Sequence, residues 1–348
     1  MTDGWVVTTS ALVLAAVLAG AIPALLRGVR GAVLAVALPT LLWAVVLGVG
    51  LAVGAVRAVP AVLLYLAGAV LLSVAAAYVL GPATVSSGAL VLSTLLWPTL
   101  LLVPLGVGLF GGPAAWLVLD ARVADYGGAL LFAVPLSALY VVRAVLALEP
   151  PEDSPHARRP LLATSSMWIA AVVWMIGVEL RIDEVTPVVL LAAVVVPGVS
   201  AVGWAVVQLI RRHRIDTVGV CSGATAGVMA TLAAAPSVDL LWGAVLGGVT
   251  GTSSAIVAYS AHRAAWRPGS LRNVLALLPV PAAIGVAFLG LFGLERGFVY
   301  SGSLDPVIAQ FGAVLGVVLW SGVAALIVAL PLLIAQQVRR SRAARASA

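Results

Sequence analysis

The chain has 348 residues, of which 63% are hydrophobic and 9% charged, against about 45–50% and about 25% in ordinary globular proteins. With a mean hydropathy of +1.17, the apolar residues exceed what one water-solvated core could hide, so lipid must solvate most of the chain and a soluble fold is excluded. The net charge of +6 comes from 19 basic residues, all arginine, in short tracts between apolar runs; basic patches with interleaved aromatics are absent, which sets nucleic acid aside.

A membrane-spanning helix needs about 20 mostly apolar residues. The first such run, 5–26, follows Met1-Thr2-Asp3-Gly4, which lacks a basic segment, and it reads as a retained span rather than a cleaved leader. Runs at 31–56, 58–80, 84–110 and 126–148 follow, then the polar connection Glu149 to Pro160, then 161–181, 186–210, 217–236, 239–260, 271–293 and 306–337. Eleven spans are predicted. Interior prolines (Pro98, Pro104, Pro135, Pro197, Pro279, Pro281) predict kinks, because neighbouring helices can satisfy the carbonyls that proline frees.

With the N-terminus outside, fifteen of the nineteen arginines fall on the inner side and only Arg57, Arg122, Arg181 and Arg296 on the outer. That asymmetry is what the positive-inside rule expects, and a missed or extra helix would scramble it. The orientation is N-out and C-in, with 338–348 as a basic cytoplasmic tail at the anionic headgroups. The polar connection divides the chain into halves of about 1–148 and 161–293 plus a last helix at 306–337. Odd numbers of spans per half produce inverted repeats, so the plan is 5+5+1 within one membrane domain, 1–337.

Gly219, Gly223 and Gly227, and again Gly243, Gly247 and Gly251, each recur every four residues. Each set lines one helix face and predicts close backbone packing, with the two helices against each other as one arrangement. Gly106, Gly108 and Gly111 form a lone G-x-G-x-x-G that ends an apolar helix instead of opening one after a strand, so the dinucleotide reading fails. Cys221 lies alone in an apolar run, and His156, His213 and His262 fall in arginine-containing loops, so no metal site and no cofactor is expected. Ser222, Thr250, Ser253 and Ser254 have no base nearby and read as packing hydroxyls, which leaves no hydrolase constellation. Of the ionisable residues at the spans, Glu179, Asp239, Arg272 and Arg143 lie where they can snorkel to the headgroups, and Asp125 can cap a helix start. A coupled pump needs buried carboxylates or histidines, and a water-filled ion channel needs charged rings. What remains is an apolar passage for a small neutral solute, or a closed one.

Arg211 through Asp216 followed by Thr217-Val218-Gly219-Val220-Cys221-Ser222-Gly223-Ala224-Thr225-Ala226-Gly227 is similar to a basic loop and glycine-rich helix of the Amt/Mep/Rh ammonium transporter family. Trp242-Gly243-Ala244-Val245-Leu246-Gly247-Gly248, Gly290-Leu291-Phe292, Gly297 to Gly302, the helix from Trp5 to Arg30, and the segment from Trp97 through Asp125-Tyr126-Gly127-Gly128 resemble that family in the same order. The resemblance implies an eleven-helix trimer of the plasma membrane, multi-pass, that recruits ammonium at an outer aromatic vestibule and passes ammonia along an apolar pore. It implies an outer aromatic face at Phe110 and Tyr78, a vestibule held by Asp125, and a pore lined by Phe132 and Leu278, the last two standing where the family has histidines. The family's G-F-N segment reads Gly177-Val178-Glu179. A non-conducting relative acting as sensor or scaffold, and an unrelated small-solute permease, are the alternative readings.

Overall fold

The computed structural model of the chain describes residues 32–53, 59–81, 86–145, 160–179, 182–260 and 271–347. The run 5–26, the connection 149–159, and His156 and His262 lie outside the described residues. The helices are α1 (Ala32–Ala52), α2 (Val59–Leu80), α3 (Ser87–Phe110), α4 (Ala129–Val145), α5 (Pro160–Val178), α6 (Val185–Arg212), α7 (Thr217–Ala234), α8 (Leu240–Ala258), α9 (Leu271–Phe292) and α10 (Asp305–Ser347). Among the described residues nine helices are long and apolar enough to cross a membrane, the shorter apolar α4 joins them, and no strand occurs. Each of the ten runs expected from 31–56 onward coincides with one of these helices.

The elements pack as a bundle in which α1 lies on α2 and α3, α6 lies between α7 and α8, and α9 touches α4, α7, α8 and α10. Leu41, Val49, Val202, Ile210, Leu241, Leu315 and Leu319 are exposed on the outside of that bundle, an apolar surface suited to acyl chains rather than water. The glycine series pack against α6 and not primarily against each other. A methyl group at Gly223 would stand 2.9 Å from the Ser200 carbonyl oxygen, one at Gly247 would stand 2.6 Å from that of Val196, and one at Gly251 would overlap Ser200. Ser200 Oγ donates to the Gly223 carbonyl at 2.6 Å, closing the same contact.

Prolines shape the helices, and tryptophans repair what the prolines break. Pro104 lies in a π-helical turn, Leu102–Gly106, within α3. Having no N–H, it leaves the Leu100 carbonyl without its helical donor, and Trp320 Nε1 from α10 donates to that oxygen at 2.8 Å. Pro197 in α6 frees the Ala193 carbonyl in the same way, and Trp168 Nε1 from α5 donates there at 2.6 Å. In α9 the pair Pro279 and Pro281 does more than kink. The helix stops at Leu277, Leu278 takes φ −117° and ψ −74°, and a second helical piece starts at Pro279. The basic tail is not a separate segment: α10 continues unbroken through Arg339 to Arg345 over 43 residues, a rise of about 64 Å. Alanine, glutamine and arginine sustain the helix there with no glycine or proline to stop it.

Replacing Trp168 by Phe should destabilise the detergent-solubilised protein by about 1–2 kcal/mol, the cost of leaving a shielded carbonyl unmet. In a Pro197→Ala background the restored N–H serves the Ala193 carbonyl, so the same replacement should cost less than half as much in a double-mutant cycle of unfolding midpoints.

Candidate functional site

Of the residues singled out from the sequence, Asp125, Phe110 and Phe132 lie at or near the turn from Asp125 to Gly128, which precedes α4. Asp125 is buried, and its carboxylate accepts from the amides of Ala129 at 2.8 Å and Leu130 at 2.7 Å. It caps the positive end of α4, as its position at a helix start leads one to expect. Burial pushes its pKa from the usual 3.8 up to about 7, against the amides of Leu130, Ala129 and Gly128, which draw it down. The turn is also stitched to the end of α7: the Gly127 amide donates to the Leu232 carbonyl at 2.7 Å and the Tyr126 amide to that of Ala233 at 3.1 Å. Gly128 sits in the left-handed region at φ +73°, where a side chain would be strained. A methyl group at Gly127 would stand 2.8 Å from the Leu232 oxygen, so both glycines are fixed by geometry.

A second set of bonds ties the turn to α5. Trp174 Nε1 donates to the Gly127 carbonyl at 2.9 Å. Tyr126 Oη donates to Glu179 Oε1 at 2.6 Å, and Thr186 Oγ1 of α6 donates to Glu179 Oε2 at 2.7 Å. Glu179 therefore does not snorkel. It organises α5, α6 and the turn, a role that the hydroxyl-bearing residues Tyr126 and Thr186 make possible and that hydropathy alone conceals. Asp239, another residue expected to snorkel, instead caps α8 by accepting from the Trp242 amide at 2.8 Å.

Phe132 lies one turn into α4, with its ring edge-on to Trp174 at a centroid distance of 5.0 Å. Phe110, at the end of α3, lies beside the turn: a methyl group at Gly128 would be 3.1 Å from its Cζ. Phe132, Phe110, Tyr78 and Leu278 all pack half-buried against one apolar core. Leu278 occupies the break in α9, between its two helical pieces.

Tyr78 is not at the same end as Phe110, which corrects the expectation of one shared aromatic face. Its neighbour Val79 offers its carbonyl to Arg143 Nη1 at 3.1 Å, and Arg143 closes the far end of α4, fifteen residues after Gly128, or about 22 Å along the axis. Arg143 is also buried, at 6% exposure. Its guanidinium turns into the bundle at the end of α2 rather than out to headgroups, where the free carbonyls of a helix C-terminus favour a cation. The aromatic residue of α2 nearer Phe110 is Tyr65, whose ring lies 3.7 Å from where a methyl group at Gly106 would be. Hydropathy could not choose between Tyr65 and Tyr78, since both lie in one apolar run; only the pairing of α2 with α3 does.

Because Asp125 holds its proton to a higher pH when folded than when unfolded, its contribution to stability is greatest at low pH. It declines as pH rises from about 4 to about 7, where the unfolded carboxyl ionises first. The unfolding midpoint of the detergent-solubilised protein should fall between pH 5 and pH 8, and Asp125→Asn, which keeps an acceptor for the cap, should flatten that slope. A slope unchanged in the variant would show that other groups set it.

Comparison with known proteins bears directly on this arrangement. Residues 84–345 match the family model described as Ammonium Transporter Family. No curated protein matches the sequence. Among solved structures the fold is similar to Candida albicans Mep2, with a TM-score of 0.75 and 18% identity over 93% of this chain and 82% of that one. It is similar to Saccharomyces cerevisiae Mep2, with a TM-score of 0.64 and 19% identity over 77% of this chain and 62% of that one, so the match spans less than two thirds of that relative. A structure described as a sensor Amt protein matches over 98% of this chain and 95% of its own, at 15% identity and a TM-score of 0.64. The match over residues 84–345 covers most of the sequence, and the chain belongs to the ammonium transporter family.

Proposed function

We propose that this protein is a multi-pass transporter of the plasma membrane that passes ammonia, as the neutral molecule, through an apolar passage. The observation that carries the reading is the contact of Phe132 with Trp174 beneath the Asp125 turn. It supports an interior without a titratable group at that level, and an uncharged solute is the one such a path can admit, because a desolvated cation finds no compensation there. In this reading there are eleven spans, oriented N-out and C-in, in two inverted halves of about 1–148 and 161–293 with a last helix, and the working unit is a homotrimer in contact with lipid. The Asp125 turn faces outward. Phe110 offers an aromatic face to an arriving ammonium ion, Asp125 holds the vestibule in shape, and Phe132 and Leu278 line the path. Tyr78 belongs to the inner mouth, beside Arg143.

A second reading, a non-conducting sensor or scaffold, is favoured by the same contact, since a phenylalanine ring on Trp174 fills space that a solute would need. An unrelated permease is set aside by membership of the family.

Ammonia uptake into proteoliposomes, followed by an internal pH dye, separates the two. The transport reading expects permeability several-fold above that of empty liposomes. No increase for the native protein, together with conduction by a Phe132→His, Leu278→His double variant, would establish the sensor or scaffold reading instead.

A further inference from the structure

Three polar groups in the core around α3 stand at one level and make no hydrogen bond among the described residues. They are the Ser73 hydroxyl of α2, the Trp97 indole N–H of α3 and the Ser321 hydroxyl of α10. All three residues are 0% exposed. Two ties fix the register of α3 on α10: Ser93 Oγ donates to the Val328 carbonyl at 2.8 Å, and Trp320 Nε1 to that of Leu100 at 2.8 Å. Trp97 and Ser321 both fall between those ties. On its other side α3 meets α2 running the opposite way, since Gly68 lies against Leu102 and Tyr65 against Gly106. Five residues on from Gly68 is Ser73, and five residues back from Leu102 is Trp97. Leu72, Leu101 and Ala324 beside these groups, and Trp97 itself, belong to one apolar cluster.

Hydroxyls on these helices ordinarily donate to a carbonyl one turn back, as those of Thr40, Thr99, Ser222 and Thr231 do. Those of Ser73 and Ser321 do not, so they turn away from their own helices. The indoles of Trp168, Trp174 and Trp320 each donate to a carbonyl, and that of Trp97 has none within reach. Shielded polar groups in native proteins nearly always meet a partner, and alanine or phenylalanine would fill the same space without needing one. We propose that Ser73, Trp97 and Ser321 hold an internal water that bridges α2, α3 and α10. The indole can only donate, so the occupant must carry a lone pair; the hydroxyls can accept, so an occupant with O–H groups is held on both sides. The buried charged residues among those described, Asp125 and Arg143, are engaged at the two ends of α4. A neutral occupant is therefore required, and the shielding on every side calls for the smallest one. Water accepts from Trp97 Nε1 and donates to Ser73 Oγ and Ser321 Oγ, which makes about the three bonds usual for a buried water. The bridge sets the level of α10 against α2, two helices that each pack on α3.

Crystals of the full chain that diffract far enough to resolve ordered water should show density about 3 Å from Trp97 Nε1, within hydrogen-bonding reach of Ser73 Oγ and Ser321 Oγ. Because the water is shared, Ser73→Ala and Ser321→Ala should each lower the unfolding midpoint of the detergent-solubilised protein by about 2 °C. The double variant should lower it by clearly less than the sum. No density at that position, serine variants that unfold at or above the native temperature, or effects that simply add would each overturn the proposal.

Discussion

The structure depends on the turn from Asp125 to Gly128. Four backbone amides and three carbonyls are at stake where α4 begins next to the ends of α5 and α7, and in an apolar surrounding each unmet group is costly. The Asp125 carboxylate answers the Ala129 and Leu130 amides, the α7 carbonyls at Leu232 and Ala233 answer those of Gly127 and Tyr126, and Trp174 answers the Gly127 carbonyl. Because the same indole that bonds Gly127 also meets the Phe132 ring, the polar ties at the turn and the apolar closure one turn below it are a single arrangement. Glu179 extends it to α6 through Thr186.

The rest of the bundle shows how a chain with 20 prolines and 35 glycines keeps its backbone satisfied in lipid. Where proline removes a donor, an indole from a neighbouring helix replaces it, as Trp168 does at Ala193 and Trp320 at Leu100. Where glycine removes a side chain, the partner backbone moves in, as α6 does against Gly223, Gly227, Gly247 and Gly251. The two devices are complementary. One supplies hydrogen bonds at breaks in a helix, and the other supplies van der Waals contact along unbroken stretches.

Much of this fold is legible in the sequence, because lipid imposes a length on every apolar run and, of the helices from α1 to α10, all but the shorter α4 obey it. The cap at Asp125 is legible for a similar reason: a carboxylate at a helix start has one favourable use. Features set by the pairing of helices are not legible. The glycine faces were visible, but that α6 serves both series depends on which helices are neighbours. Tyr78 and Tyr65 lie in one apolar run, and only the register of α2 on α3 sends the first toward Arg143 and the second toward Phe110. Glu179 looked like a residue reaching for headgroups because its partners, Tyr126 and Thr186, are distant in sequence. The break at Leu278 exceeds the expected kink because Pro279 and Pro281 together remove two donors from one turn.

The chain belongs to the ammonium transporter family, and the transport reading proposed above adds a constraint on the charge of the solute. In the proposed transport reading the path runs past Phe132, whose ring meets Trp174 edge-on, and past Leu278, and such an apolar path favours the neutral species. The most direct measurement is an ammonium concentration jump on membranes containing the protein, with electrical current and internal pH recorded together. Neutral passage predicts rapid internal alkalinisation with no sustained current. A current that grows with ammonium concentration would contradict the account.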